Sequence, residues 1–173
     1  VVLNAPKDIN SYNIDSLGYL TQALSMISSK REKEREAKKE AERVFEDGDV
    51  IGIRAITHNA SCYYGSGTRW CTAATNSNNM FDHYNSDGPI FVIIDKKNNR
   101  KYQFHFETDQ FMDEEDQPVH PGEILDRYPQ ARTALKGPID KKRKDDPDDV
   151  TWMLDDVIKQ NLTSVKFLSR LKL

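Results

Sequence analysis

The chain has 173 residues, and 25 lysines and arginines against 28 aspartates and glutamates leave a net charge of −3, so no global field draws it to nucleic acid or to an anionic membrane. Hydrophobic residues make up 37%, enough for one ordinary core, and no run approaches the roughly 18 apolar residues of a membrane-spanning helix. Cys62 and Cys71, nine positions apart, do not make a secreted disulfide framework, so a reducing compartment is expected. No secretory signal is visible, and the opening Val1-Val2-Leu3 fits a processed protein or a fragment.

Over residues 8–27 the apolar Ile9, Leu17, Leu20, Leu24 and Ile27 recur at three- and four-residue steps after Leu17, with Asp15 or Ser16 placed to cap, which predicts an amphipathic helix. Residues 28–43 are almost all Lys, Arg, Glu or Ala, with Glu32-Arg35-Glu36 and Glu36-Lys39-Glu40 spaced for surface ion pairs. They read as a solvated continuation of the helix, and the interleaved glutamates cancel the field that a nucleic-acid arm would need. An N-terminal helical segment over 1–43 is therefore expected.

An α+β core follows over 44–135. Glu46-Asp47-Gly48-Asp49 signals a turn and residues 50–56 a strand. The Gly-, Ser-, Thr- and Asn-rich stretch 57–79 reads as loop with a short helix near 70–74, and 80–84 as a further helical turn. After the turn at Asp87-Gly88-Pro89, the apolar run Ile90-Phe91-Val92-Ile93-Ile94 predicts a buried central strand. Residues 101–107 alternate, with Tyr102, Phe104 and Phe106 on one face and Gln103, His105 and Glu107 on the other. That is the pattern of a half-covered antiparallel strand, paired as a hairpin with the one before it. Phe111-Met112 predicts a short edge strand, and 122–135 two short helices about Pro129. The charge-dense 136–149 reads as a linker, and Trp152, Met153, Val157 and Ile158, then Val165, Phe167, Leu168 and Leu171, mark a C-terminal helical pair over 150–173. The expected class is α+β: a small, mainly antiparallel sheet between N-terminal helices and that pair.

Candidate chemistry concentrates in Tyr64-Gly65-Ser66-Gly67-Thr68-Arg69-Trp70-Cys71-Thr72-Ala73. Gly65 and Gly67 permit positive φ and close approach of a ligand to backbone N–H groups, while Thr68, Arg69 and Thr72 offer donors. Neither a Walker loop nor a dinucleotide fingerprint is present, and no cofactor is expected. The competing account is a tight turn anchored in the core by Trp70. Cys71 stands where a helix could begin and lower its thiol pKa. With His105 as base and Glu107 as orienter it gives the chain order of papain-like and transglutaminase-like thiol enzymes. His58, Cys62, Cys71 and His83 form a four-ligand set whose spacing matches no common zinc finger, and no metal site is assigned. His58, Tyr84 and Glu107 follow the order of an ADP-ribosyltransferase H-Y-E set.

Through Thr57-His58-Asn59-Ala60-Ser61, the Tyr64 to Ala73 block, Phe81-Asp82-His83-Tyr84 and Gly88-Pro89-Ile90, the chain resembles a group of tailed-bacteriophage and prophage proteins that carry a Y-G-x-G-T-x-W-C-T block ahead of a β-hairpin. The likeness covers roughly residues 44–130, with the W-C-T block its specific part. The layout is also similar to conjugation-associated PcfJ-type proteins, except that Trp70-Cys71 stands where their histidine-cysteine pair is expected. The resemblance implies a phage setting, in the cytoplasm of the infected bacterium or on the virion, and brings no mechanism. The leading expectation is an accessory module that binds a phage or host protein, or a nucleic acid, through the Tyr64 to Ala73 loop and the polar face of the 101–107 strand. His58 and Tyr84 extend that surface. Trp, Tyr and Arg, the types favoured at contact hot spots, motivate it.

Overall fold

The computed structural model describes residues 14–145, so the helical pair expected at 150–173 lies outside them. The elements run α1 (Ile14–Lys39), β1 (Ala41–Asp47), β2 (Val50–Ala55), α2 (His58–Tyr64), α3 (Phe81–Asp87), β3 (Phe91–Asp95), β4 (Arg100–His105), β5 (Gln110–Asp113), α4 (Pro121–Arg127), α5 (Pro129–Ala134) and α6 (Lys136–Asp145). A 3-10 turn at Cys71–Ala73 breaks the long connection from α2 to α3. The class is α+β, as expected, built on one antiparallel sheet in the order β1-β2-β3-β4-β5.

The expected hairpin sits at its centre: Phe91 lies opposite Phe104 and Ile93 opposite Tyr102. Because side chains alternate across a strand, this register gathers the aromatic residues on one face. There Phe91, Tyr102, Phe104, Phe106 and Phe111 pack against Ile124, Leu125, Tyr128, Leu135 and Ile139 from the three C-terminal helices. The opposite face carries Ile51, Ile53 and Val92, which pack with Ala37, Ala60, Tyr64, Trp70 and Phe81 from α1 to α3 and the connection between them. Both faces are covered, so β4 is not the half-covered strand that its alternation implies. Gln103 and His105 are buried.

Three further boundaries differ from the sequence reading. Residues 41–47, read partly as helix, form β1, pairing from Ala41 opposite Ala55 to Asp47 opposite Val50, with Val44 and Phe45 packed on the aromatic core. Tertiary pairing there overrides the helix preference of Ala41-Glu42-Arg43. The 57–79 stretch contains α2, whose first turn is capped by the Thr57 hydroxyl accepting from Ala60 N at 3.2 Å. Residues 136–145 are not linker but helix α6, docked by buried Ile139. Its Pro138 falls in the first turn, where a missing N–H costs nothing.

Candidate functional site

The 35-residue excursion between β2 and β3 (residues 56–90) holds every candidate except His105 and Glu107, and β4 holds it in place. Lys101, Gln103 and His105 occupy alternate positions of that strand and so point to the same side. Each fastens a different part of the excursion. Lys101 Nζ donates to the carbonyls of Tyr64 at 2.9 Å and Ser66 at 2.6 Å, at the start of the Gly-rich turn. Burial lowers its pKa, because the charged ammonium loses water that two carbonyls only partly replace. In the middle, Thr72 Oγ1 donates to Gln103 Oε1. At the end, His105 Nε2 lies 3.0 Å from the carbonyl of Tyr84 and 3.2 Å from that of Gly88. Carbonyls only accept, so Nε2 carries hydrogen. Nδ1 lies 2.7 Å from the Thr108 hydroxyl, which donates to it when the ring is neutral.

The Tyr64 to Ala73 block is accordingly a structural turn with a narrow exposed rim. Trp70 is 3% exposed, and its Nε1 donates to Asp113 O at 2.5 Å, tying the turn to β5. Gly67 adopts φ +83°, while Gly65 is needed for close approach: a Cβ there would lie 2.5 Å from Ala73 Cβ and 2.9 Å from Ser61 O. Thr68 Oγ1 turns inward to Gly65 O at 2.7 Å. Arg69 stays 74% exposed at its side chain and pairs with Glu115 at 2.8 Å. Of the residues expected on the recognition surface, Tyr64, Gly65, Trp70 and Thr72 are buried, as are Gln103 and His105 of the strand face intended to complete it, while Glu107 is half-buried. Trp70→Ala therefore strikes the core rather than a free recognition surface.

The thiol triad is not assembled either. Cys71 is exposed, and desolvation together with the Asp116 carboxylate holds its thiol above the usual range. The N–H groups of Cys71 and Thr72 pull the other way, as a helix start should, but three residues of 3-10 turn do not prevail. His105 is 1% exposed with both ring nitrogens engaged, and no hydrogen bond joins it to Cys71. Glu107 lies past the end of β4, with Oε2 4.0 Å from His105 Nε2 and Oε1 3.1 Å from Lys141 Nζ. Tyr84 also meets His105, ring centroids 5.4 Å apart, so two members of the H-Y-E set share one neighbourhood. The third, His58, pairs with Cys62 instead. That pair is the part of the four-ligand set that comes together, and no cluster of three ligands forms among the described residues.

Sequence reasoning overlooked a groove of about 410 Å³ between α1 and α2, lined by Lys33, Glu36, Asn59, Cys62, Tyr63 and Thr75, with Ser66 of the Gly-rich turn at its rim. Cys62 Sγ lies 3.6 Å from His58 Nε2 and donates to Ala74 O at 3.3 Å, and Asn79 Nδ2 reaches the sulfur at 3.5 Å. Burial raises this thiol pKa and the Asn79 contact offsets part of the rise. Asn79 also donates to Thr72 O at 2.9 Å and Ala74 O at 2.7 Å and accepts from Phe81 N at 2.7 Å. The available signals were the four-residue spacing of His58 and Cys62, which puts them on one helix face once α2 is known, and an asparagine just before a helix. No family model matches this chain, and neither a curated protein nor a solved structure does.

Proposed function

We propose that the chain is a phage or prophage accessory module that receives a segment of a partner protein in the groove between α1 and α2. The observation that carries this reading is the groove itself, about 410 Å³ and open beside the Gly-rich turn, on a protein whose β4 polar face is spent on holding its own backbone. Lys33 and Glu36 give the walls both charges, Asn59, Ser66 and Thr75 bring donors and acceptors, and Tyr63 brings an aromatic face. Such a lining suits a peptide, whose backbone needs both donors and acceptors. It does not suit a nucleic acid, because the lysine is matched by a glutamate and the chain as a whole carries −3. The phage setting follows from the resemblance of the Tyr64 to Ala73 block, with action in the infected cell or on the virion.

The test is selection of peptides on the immobilised full chain from a displayed random library, followed by titration against Asn59→Arg. Asn59 is exposed, so the added bulk fills the groove without entering the core. Peptides that bind the wild type and lose at least about tenfold in affinity, some 1.4 kcal/mol, support the reading. Equal binding to both proteins, or no selected peptide, overturns it.

A second reading, thiol chemistry, is favoured by one contact: Cys62, which lines the groove, lies 3.6 Å from His58, and a histidine base there would activate a thiol whose pKa burial raises. Site-resolved iodoacetamide labelling of the folded protein decides it. Labelling of Cys62 that outruns Cys71 and slows in His58→Ala supports the reading, and protection of Cys62 until unfolding removes it.

A further inference from the structure

Helix α6 ends at Asp145, and that residue is also a wall of a cleft of about 140 Å³. The other walls are Phe106 and Glu107, just past β4, and Pro138, Lys141 and Lys142 of α6. Phe106 belongs to the aromatic core and Pro138 is half-buried, so one side of the cleft is apolar. The lysines are tethered to the β4–β5 connection, Lys141 Nζ donating to Glu107 Oε1 at 3.1 Å and Lys142 Nζ to Asp109 Oδ2 at 2.6 Å.

Charge and chain direction say what this cleft meets. From Lys136 to Asp145 there are five cations and two anions, and Lys141-Lys142-Arg143-Lys144 is the longest run of cations in the chain. The sequence continues for 28 residues past Asp145. Its first part, 146–158, holds five aspartates and no lysine or arginine. Pro147 cannot extend α6, because it offers no N–H and its ring meets the carbonyl four residues back, and it biases Asp146 away from helical backbone. The chain therefore leaves the helix axis beside the cleft. Residues 146–149 make a connection of the length that joins antiparallel helices. With equal rise on both sides of it, Met153 comes level with Lys142, Leu154 with Lys141 and Val157 with Pro138, and these three levels are cleft walls. Val150, Met153, Leu154, Val157 and Ile158 share one side of a helix. That pattern gives the segment an apolar side, while its charge and its point of departure decide where that side lies.

From this we infer that residues 150–158 of the same chain fold back antiparallel along α6, with Met153 and Leu154 at the cleft and Asp146, Asp148 and Asp149 beside the basic turn. A short tether gives the acidic segment an effective concentration that a separate partner or a nucleic acid would have to overcome. The cleft shares no residue with the peptide groove, so the two proposals stand or fall separately.

The experiment is hydrogen exchange, resolved by peptide mass spectrometry, on the full chain as wild type and as the Arg143→Glu, Lys144→Glu variant, at low and high salt. Both substituted positions are exposed, and thermal unfolding checks that the body is unchanged. So short a stretch holds little helix alone, which makes protection over 150–158 a measure of docking. In the wild type, exchange there is expected to slow by at least about tenfold, and charge reversal or high salt to abolish most of the slowing. A Lys141→Cys, Leu154→Cys variant, oxidised with glutathione disulfide and mapped after digestion, is expected to join those two positions within one chain. Exchange over 150–158 at the unprotected rate overturns the proposal. Protection indifferent to charge reversal overturns it by seating the segment elsewhere. A disulfide that links two chains assigns the cleft to a second copy, and no disulfide between the two positions overturns the antiparallel register.

Discussion

Both faces of the sheet are buried under apolar clusters, but only one of them adds a row of polar anchors. On one, Phe91, Phe104, Phe106 and Phe111 meet edge to face at 5.1 to 6.1 Å between ring centroids, and the helices above supply further apolar surface. On the other, Lys101, Gln103 and His105 reach across to named carbonyls and one hydroxyl. Apolar packing is non-directional and accepts many residues of suitable volume. A buried polar contact accepts only its partner, since a group left unpaired keeps its desolvation cost. Apolar burial therefore supplies bulk stability on both faces, and the polar row on one of them specifies the path of a 35-residue excursion whose short helices are joined by irregular segments.

The largest effect is expected on the aromatic face. Phe104 is fully buried and touches both Phe106 and Phe111, so Phe104→Ala should cost about 3–5 kcal/mol in urea unfolding, and a loss below 1 kcal/mol would break the contrast. On the polar face, Thr72→Val keeps the shape but strands Gln103 Oε1, at a cost of about 1–3 kcal/mol. Adding Gln103→Leu removes the stranded group and should recover part of that loss. A double-mutant cycle with no coupling would show that the hydrogen bond does not hold the excursion.

Acid titration sharpens the comparison, because Asp95 is a polar anchor on the aromatic side. Its carboxylate accepts from Asn98 N at 3.0 Å, Asn98 Nδ2 at 2.7 Å and the Tyr128 hydroxyl at 2.9 Å. The Asn98 side chain, then its N–H, lower the pKa by more than burial raises it, and the same carboxylate helps burial push the Tyr128 hydroxyl upward. With the folded pKa below the unfolded one, the Asp95 contribution is complete above the ordinary aspartate range and is lost as pH falls through the folded value. Asp95→Asn should therefore flatten that part of the acid limb of a melting-temperature profile. An unchanged limb would refute it. The smallest effect is expected at the rim: Arg69→Ala removes an exposed ion pair with Glu115 and should alter stability by no more than about 0.5 kcal/mol.

The sheet was legible where two periodicities agree. The apolar run at 90–94 and the alternation of 101–107 announce β3, β4 and their hairpin, and the structure pairs them. Strand β1 was not legible, since Glu42, Arg43 and Glu46 favour helix by composition and only the edge of β2 makes them extended. Of the candidate site, the Gly-rich turn was visible as a turn, and Trp70 as its anchor was one of the two accounts open to it. The groove was invisible because α1 and Thr75 are distant in sequence from α2, and α2 itself is built of weak helix formers, His58 to Tyr64, held by a cap.

Local sequence by itself determined the hairpin, its turn, the short helices about Pro129 and the alternation of β4, because each rests on the preferences of neighbouring residues. Tertiary structure alone decided that the polar side of β4 faces inward. Gln103 and His105 are ordinary solvent-facing residues until Thr72, Tyr84 and Gly88 arrive from far along the chain to satisfy them. The same long-range closure spends His105 on two carbonyls and brings Cys62 and α1 to one groove. Alternation tells which residues share a face, but whether that face meets water depends on what the rest of the chain lays over it.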